Sequence, residues 1–238
     1  MVERRLPRRR ALIVAVIAIV AAIVVWNVPL FDFLLYPLRL FVTFVHEAGH
    51  GLSAILTGGR FINLTVYANG AGVATTAGGW RWIIIPAGYL GAALFGAGLL
   101  YLANRTHRSR TIMAVLAAAV AVITLAFTDL LSTAWLVGLG MAIVLGLMAW
   151  KMRTEACLWV LNFLAVLCCL NAVVDVTTLI GNSTLGSGRI RNDAAAFSAE
   201  ITPLIPGWFW AICWSGIALG LLAAAVWYGI VRQVKSAL

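Results

Sequence analysis

Two histidines and a glutamate, His46, Glu47 and His50, interrupt a largely apolar stretch running from about Phe33 to Leu56. In a bilayer, a carboxylate at the centre of such a stretch costs about 2.5–3.5 kcal/mol or more, so an ionisable residue there points to function. The pattern is H-E-x-x-H, and its chemistry requires a helix. Positions i and i+4 share one face, so both imidazoles can reach a single Zn²⁺. Glu47, next to the first histidine, can hold a metal-bound water and take its proton. The stretch is therefore expected to be a helix carrying a metal site, with His46 and His50 as ligands and Glu47 as the catalytic base.

The rest of the chain fits a membrane setting. Of 238 residues, 63% are hydrophobic and 11% charged, with a mean hydropathy of +1.01. The apolar runs are too long and too numerous for a soluble core. The expected fold is an all-α polytopic membrane protein of about six to seven transmembrane helices, with a short membrane-associated β-hairpin after the H-E-x-x-H helix. The net charge of +9 does not indicate nucleic acid. Arg4, Arg5, Arg8, Arg9 and Arg10 precede the first apolar run, where they read as a cytoplasmic anchor. The expected organisation is a basic cytoplasmic segment at 1–10, one membrane-embedded domain at 11–231 and a basic tail at 232–238. Cys157, Cys168, Cys169 and Cys213 lie in apolar runs without a C-x-x-C pair and read as packing residues.

In chain order, an uncleaved helix is expected over about Ala11–Val25, and the metal helix over Phe33–Leu56, ended by Gly58-Gly59. Arg60–Ala77 alone has strand character, with Asn69-Gly70 as a hairpin signal. Irregular backbone is tolerated at membrane depth only against protein or water, so this hairpin is expected to line the site and offer an edge to an extended peptide. Further helices are expected over Ile83–Ala103, Thr111–Phe127, Leu130–Trp150, Ala156–Ile180 and Trp208–Ile230. Gly88, Ala92 and Gly96, and separately Gly216 and Gly220, read as small-residue packing faces. A short amphipathic helix over Asp193–Ile201 is expected to lie over the site. His107, among Arg105, Arg108 and Arg110, reads as a solvated loop residue.

Two histidines leave a catalytic zinc one protein ligand short of the usual three. Asp175, in an apolar run with no basic neighbour at helical spacing, is the preferred third ligand on burial cost; Asp193 and Asp129 are its rivals. Asn171, one turn before Asp175, is a candidate to orient that carboxylate or bind a substrate carbonyl. Topology leaves two solutions: if every run spans, the basic loops fall outside, against the positive-inside rule, whereas a re-entrant metal helix returns them to the cytoplasm.

His46–His50, Gly58-Gly59 with the following hairpin, and Pro86-Ala-Gly-Tyr-Leu-Gly91 together resemble the M50 (site-2 protease-like) membrane metallopeptidases, and within them the compact bacterial M50B-like branch. The resemblance is strong over about Phe41–Leu100 and looser over Asn171–Pro206, where Asp175 and Asn192-Asp193-Ala194 echo that branch. It implies zinc held by His46, His50 and an aspartate from a later helix, with Glu47 activating water for peptide hydrolysis. Better-known members carry that aspartate in Leu-Asp-Gly after an Asn-x-x-Pro; here Asp175 stands between Val174 and Val176. The expected activity is an intramembrane zinc endopeptidase of a bacterial cytoplasmic membrane, acting on a membrane-associated peptide or protein substrate. The alternative is an inactive scaffold of the same fold. A transporter fits less well, because the acidic residues define no pathway.

Overall fold

The computed structural model describes Ile13, Ile17 and residues 32–106, 108–183 and 192–232, with side chains described within 35–106, 108–171 and 192–232. The expected first helix (apart from Ile13 and Ile17), His107 and the side chain of Asp175 lie outside the described residues.

The metal helix forms as expected: α1 spans Asp32–Leu56. It ends in a Schellman turn, in which the Gly59 N–H donates to Ala54 O (2.8 Å) and the Gly58 N–H to Ile55 O (3.1 Å). Gly58 sits at φ +82, a conformation that costs glycine little and most residues more. The chain then folds back as an antiparallel hairpin, β1 (Arg60–Val66) and β2 (Gly72–Ala77), with an irregularity between Phe61 and Asn63. Its tip is closed by Gly70 N–H to Tyr67 O (2.9 Å) and Tyr67 N–H to Ala71 O (2.8 Å), with Gly70 at φ +90.

The hairpin lies along α1 and is tied to one helical stripe. The Tyr36 hydroxyl donates to Ala68 O (2.6 Å) and the Thr43 hydroxyl to Gly70 O (2.9 Å), while Glu47 accepts from the Ala74 N–H. Positions 36, 43 and 47 are spaced by seven and four, so they share a face. On the next turn Phe61 lies against Gly51 and stacks on Phe127 at 4.2 Å between centroids.

A one-turn helix, α2 (Arg81–Ile84), precedes α3 (Ala87–Thr106). The expectation of one helix over Ile83–Ala103 is corrected here. Ile85 keeps helical geometry, at φ −62 and ψ −48, but Pro86 brings no N–H to continue the hydrogen-bond ladder, so the run breaks into two. After α3 come α4 (Ser109–Phe127), α5 (Thr133–Lys151) and α6 (Thr154–Ser183). Arg110 donates to Ala149 O (2.9 Å) and Trp150 O (2.6 Å), closing the end of α5, and the Ser132 hydroxyl caps its start. A short α7 (Asp193–Glu200) leads into α8 (Gly207–Val226), which runs on through a π-helical turn, Trp227–Val231.

Among the described residues, five helical stretches are long and apolar enough to cross a membrane: Ala87–Thr106, Ser109–Phe127, Thr133–Lys151, Thr154–Asn171 and Gly207–Val231. The protein is an integral membrane protein, mostly helical with one small antiparallel sheet. The antiparallel run of these helices puts Arg105, Arg108, Arg110, Lys151, Arg153 and Arg232 at one end, and Trp80, Trp82 and Trp208 at the other.

The main core joins Phe41 and Phe44 of α1 to Leu100 of α3, Met113 of α4, Leu145 of α5 and Leu161 of α6. Gly96 lets α3 approach α6, since a Cβ there would stand 2.4 Å from Ala165 O. A smaller core of Tyr89, Phe197, Ala211 and Trp214 holds α7 against α3 and α8. Among the described residues nothing packs on Gly216 and Gly220. Both are exposed, with no described atom within 4 Å of an added Cβ, because α8 buries the stripe Ala211, Ser215, Ala218 and Leu222 instead.

Gly96→Ala is therefore expected to destabilise the protein by about 1–3 kcal/mol through overpacking. Gly216→Ala is expected to be neutral or to stabilise by up to about 1 kcal/mol. Unfolding in detergent, followed by far-UV circular dichroism, separates the two.

Candidate metal centre

His46 and His50 project from the same face of α1 and are buried, as is Glu47 between them. Their Nε2 atoms lie 3.2 Å apart. Asp193, the first residue of α7, closes the triangle: its Oδ2 stands 2.9 Å from His46 Nε2 and 3.1 Å from His50 Nε2. The carboxylate that the described residues bring to the imidazoles is thus the one weighed as a rival to Asp175. Asp129 lies exposed in the turn between α4 and α5, away from the group.

Each member is held by a partner of its own. His50 Nδ1 donates to Ile84 O at 2.7 Å, which leaves its Nε2 lone pair facing Asp193. The Asn171 Nδ2 lies 3.3 Å from His46 Nδ1. With the amide flipped, its Oδ1 would accept the Nδ1–H and leave Nε2 free to coordinate. Asn171 thus stands beside His46, while the Asp175 side chain it was expected to orient lies outside the described residues. Asp193 sits at the N-terminus of α7, whose preceding Asn192 accepts from the Ala195 N–H at 2.9 Å, and the helix dipole favours the charged carboxylate there. Burial alone would raise the Asp193 carboxyl. Where the histidines carry a proton on Nε2, their hydrogen bonds and charge outweigh that and hold it well below the usual carboxylate range.

The donor set fits a metal. With both Nε2 atoms unprotonated, two imidazole lone pairs and a carboxylate oxygen converging this closely repel one another unless a metal ion lies among them; without one, a proton on an imidazole takes its place. Donors of a tetrahedral zinc stand about 3.3 Å apart, close to the separations found. Gly88 of α3 leaves the space: a Cβ there would come within 2.4 Å of both His46 Nε2 and His50 Nε2. From sequence Gly88 looked like helix packing, and its place in Pro86-Ala-Gly was the available sign of more. Tyr89 packs edge-on to the His46 ring at 4.5 Å between centroids.

Beside this group lies a cavity of about 220 Å³. Glu47 and His50 form one wall, Gly72, Val73, Ala74 and Thr76 of β2 a second, and Asp193 and Ala196 of α7 a third, with Arg81 at the rim. The hairpin lines the site, as expected. Gly72 makes this possible, since a Cβ there would stand 2.5 Å from Glu47 Oε1.

The family model described as Peptidase M50B-like matches residues 14–225. No curated protein and no solved structure matches the chain.

Gly88→Ala is expected to abolish stoichiometric zinc binding, because its methyl group would displace the coordinating nitrogens. Metal analysis of the purified variant, with helicity as a folding control, checks this.

Proposed function

Because the chain belongs to the Peptidase M50B-like family, we propose that it is a zinc-dependent endopeptidase cutting membrane-associated peptide or protein substrates at the His46–His50–Asp193 centre. The observation that carries the reading is the meeting of Asp193 with the two histidines of H-E-x-x-H beside a cavity that Glu47 also lines. His46, His50 and Asp193 would hold Zn²⁺, which when bound supplies Lewis-acid polarisation of a scissile carbonyl and acidifies water.

The chain's own groups supply the rest. Glu47 is placed to take the proton of the attacking water and pass it to the leaving amine. The Ala74 N–H and Gly72 fix the direction in which its carboxylate points. Ile84 and Asn171 keep the imidazoles oriented so that their Nε2 atoms stay available. The outer edge of β2 faces the cavity, and an extended substrate can lie along it as a third strand.

The proposed setting is a bacterial cytoplasmic membrane with the N-terminal arginine cluster on the cytoplasmic face.

Glu47→Gln separates the enzyme from a scaffold of the same fold. It is expected to keep zinc while lowering peptide cleavage by a factor of about 10²–10⁴. Reconstituted protein and a membrane-anchored peptide library give the readout. Cleavage unchanged in the variant would remove Glu47 from the chemistry.

A further inference from the structure

Asp193 belongs to a helix only eight residues long, and the other end of that helix is also tied down. Glu200, the last residue of α7, accepts three hydrogen bonds from Arg81 of α2, with Nε 2.8 Å from Oε2, and Nη2 2.6 Å from Oε1 and 2.5 Å from Oε2. Between the two ends, Phe197 is buried against Trp210 and Trp214 of α8, at 4.9 and 5.6 Å between ring centroids. Phe197 lies four residues from Asp193 and three from Glu200. A short rigid helix seated at its middle is a lever, and displacement at one end moves the other end the opposite way.

Arg81 is well placed to hold that lever. It begins α2, the single turn whose last residue, Ile84, accepts from His50 Nδ1. The three helices are thus joined in a ring. The His50–Ile84 bond joins α1 to α2, Arg81–Glu200 joins α2 to α7, and Asp193 joins α7 back to His46 and His50. Among the described residues, Arg81–Glu200 is the one ion pair of the ring that includes no metal-site histidine. Its side chains are 52% and 44% exposed, so water screens it and it opens more readily than the buried contacts. Arg81 also lines the cavity, together with Asp193 and Ala196 of α7, so the pair ties α7 to the cavity wall.

We infer that Arg81 and Glu200 are positioning residues forming a latch. Closed, it sets α7 so that Asp193 completes the metal centre. Open, it lets α7 tilt about Phe197, withdrawing Asp193 and widening the cleft for an extended chain. The inference rests on the metal centre proposed above.

The test is zinc affinity of the full-length protein in detergent, by competition with a chelator of known affinity. It compares wild type, Glu200→Gln, Arg81→Gln, Asp193→Asn, the double variant Glu200→Gln/Asp193→Asn and the charge swap Arg81→Glu/Glu200→Arg. Either latch variant is expected to weaken zinc about fivefold, the size of a screened pair, and the swap to restore most of the loss. In the Asp193→Asn background, Glu200→Gln should change nothing further, because the latch acts through Asp193. An equal penalty in both backgrounds would mean a merely structural contact and overturn the latch. Unchanged affinity in Glu200→Gln, with wild type binding one zinc, would overturn it and leave the metal centre standing. No zinc in wild type would overturn the centre and the latch together.

Discussion

The structure depends on three acceptor atoms that repel one another being held together at the edge of an apolar core. His46 Nε2, His50 Nε2 and Asp193 Oδ2 stand within 3.2 Å, with Glu47 alongside. Nothing in hydrophobic packing favours that convergence, and burying such groups unpaired costs several kcal/mol. Their orientation is nevertheless fixed from outside by Ile84 O, by Asn171 and by the capped start of α7. Hydrogen bonds that aim these three atoms at one point suit a cation among them.

The neighbouring elements follow from that demand. α3 must approach α1 closely, and Gly88 permits it. The hairpin must carry exposed backbone at the depth of Glu47, and Tyr36, Thr43 and Glu47 tie it to one stripe of α1. Its outer edge is left for the cavity. Glu47, His50, Asp193 and residues of β2 therefore meet around a cavity of about 220 Å³, with ordinary membrane-helix packing behind them.

Much of this was legible in the sequence. H-E-x-x-H specified the helix and two residues of the candidate metal group, because its meaning is local. Asn69-Gly70 set the hairpin tip, Gly58-Gly59 the end of α1, and the pattern after Asn192 the short α7. That Asp193 would meet the imidazoles was not legible on burial cost, and the Asp175 side chain lies outside the described residues. Asp175 sits in an apolar run, whereas Asp193 sits in a polar segment beside Arg189 and Arg191. What places Asp193 beside buried imidazoles is the docking of α7 by Phe197 onto Trp210 and Trp214, a contact made after the chain returns from α6. Burial conferred by residues about 145 positions away leaves no trace in the local pattern. Likewise a small-residue interval cannot distinguish Gly88, pressed on the ligands, from Gly216, which faces away.

The most direct test is zinc per chain in detergent-purified protein, for wild type, Asp193→Ala and Asp175→Ala. The geometry predicts about one zinc in wild type and in Asp175→Ala, and its loss in Asp193→Ala. Zinc retained in Asp193→Ala but lost in Asp175→Ala would contradict the centre described here.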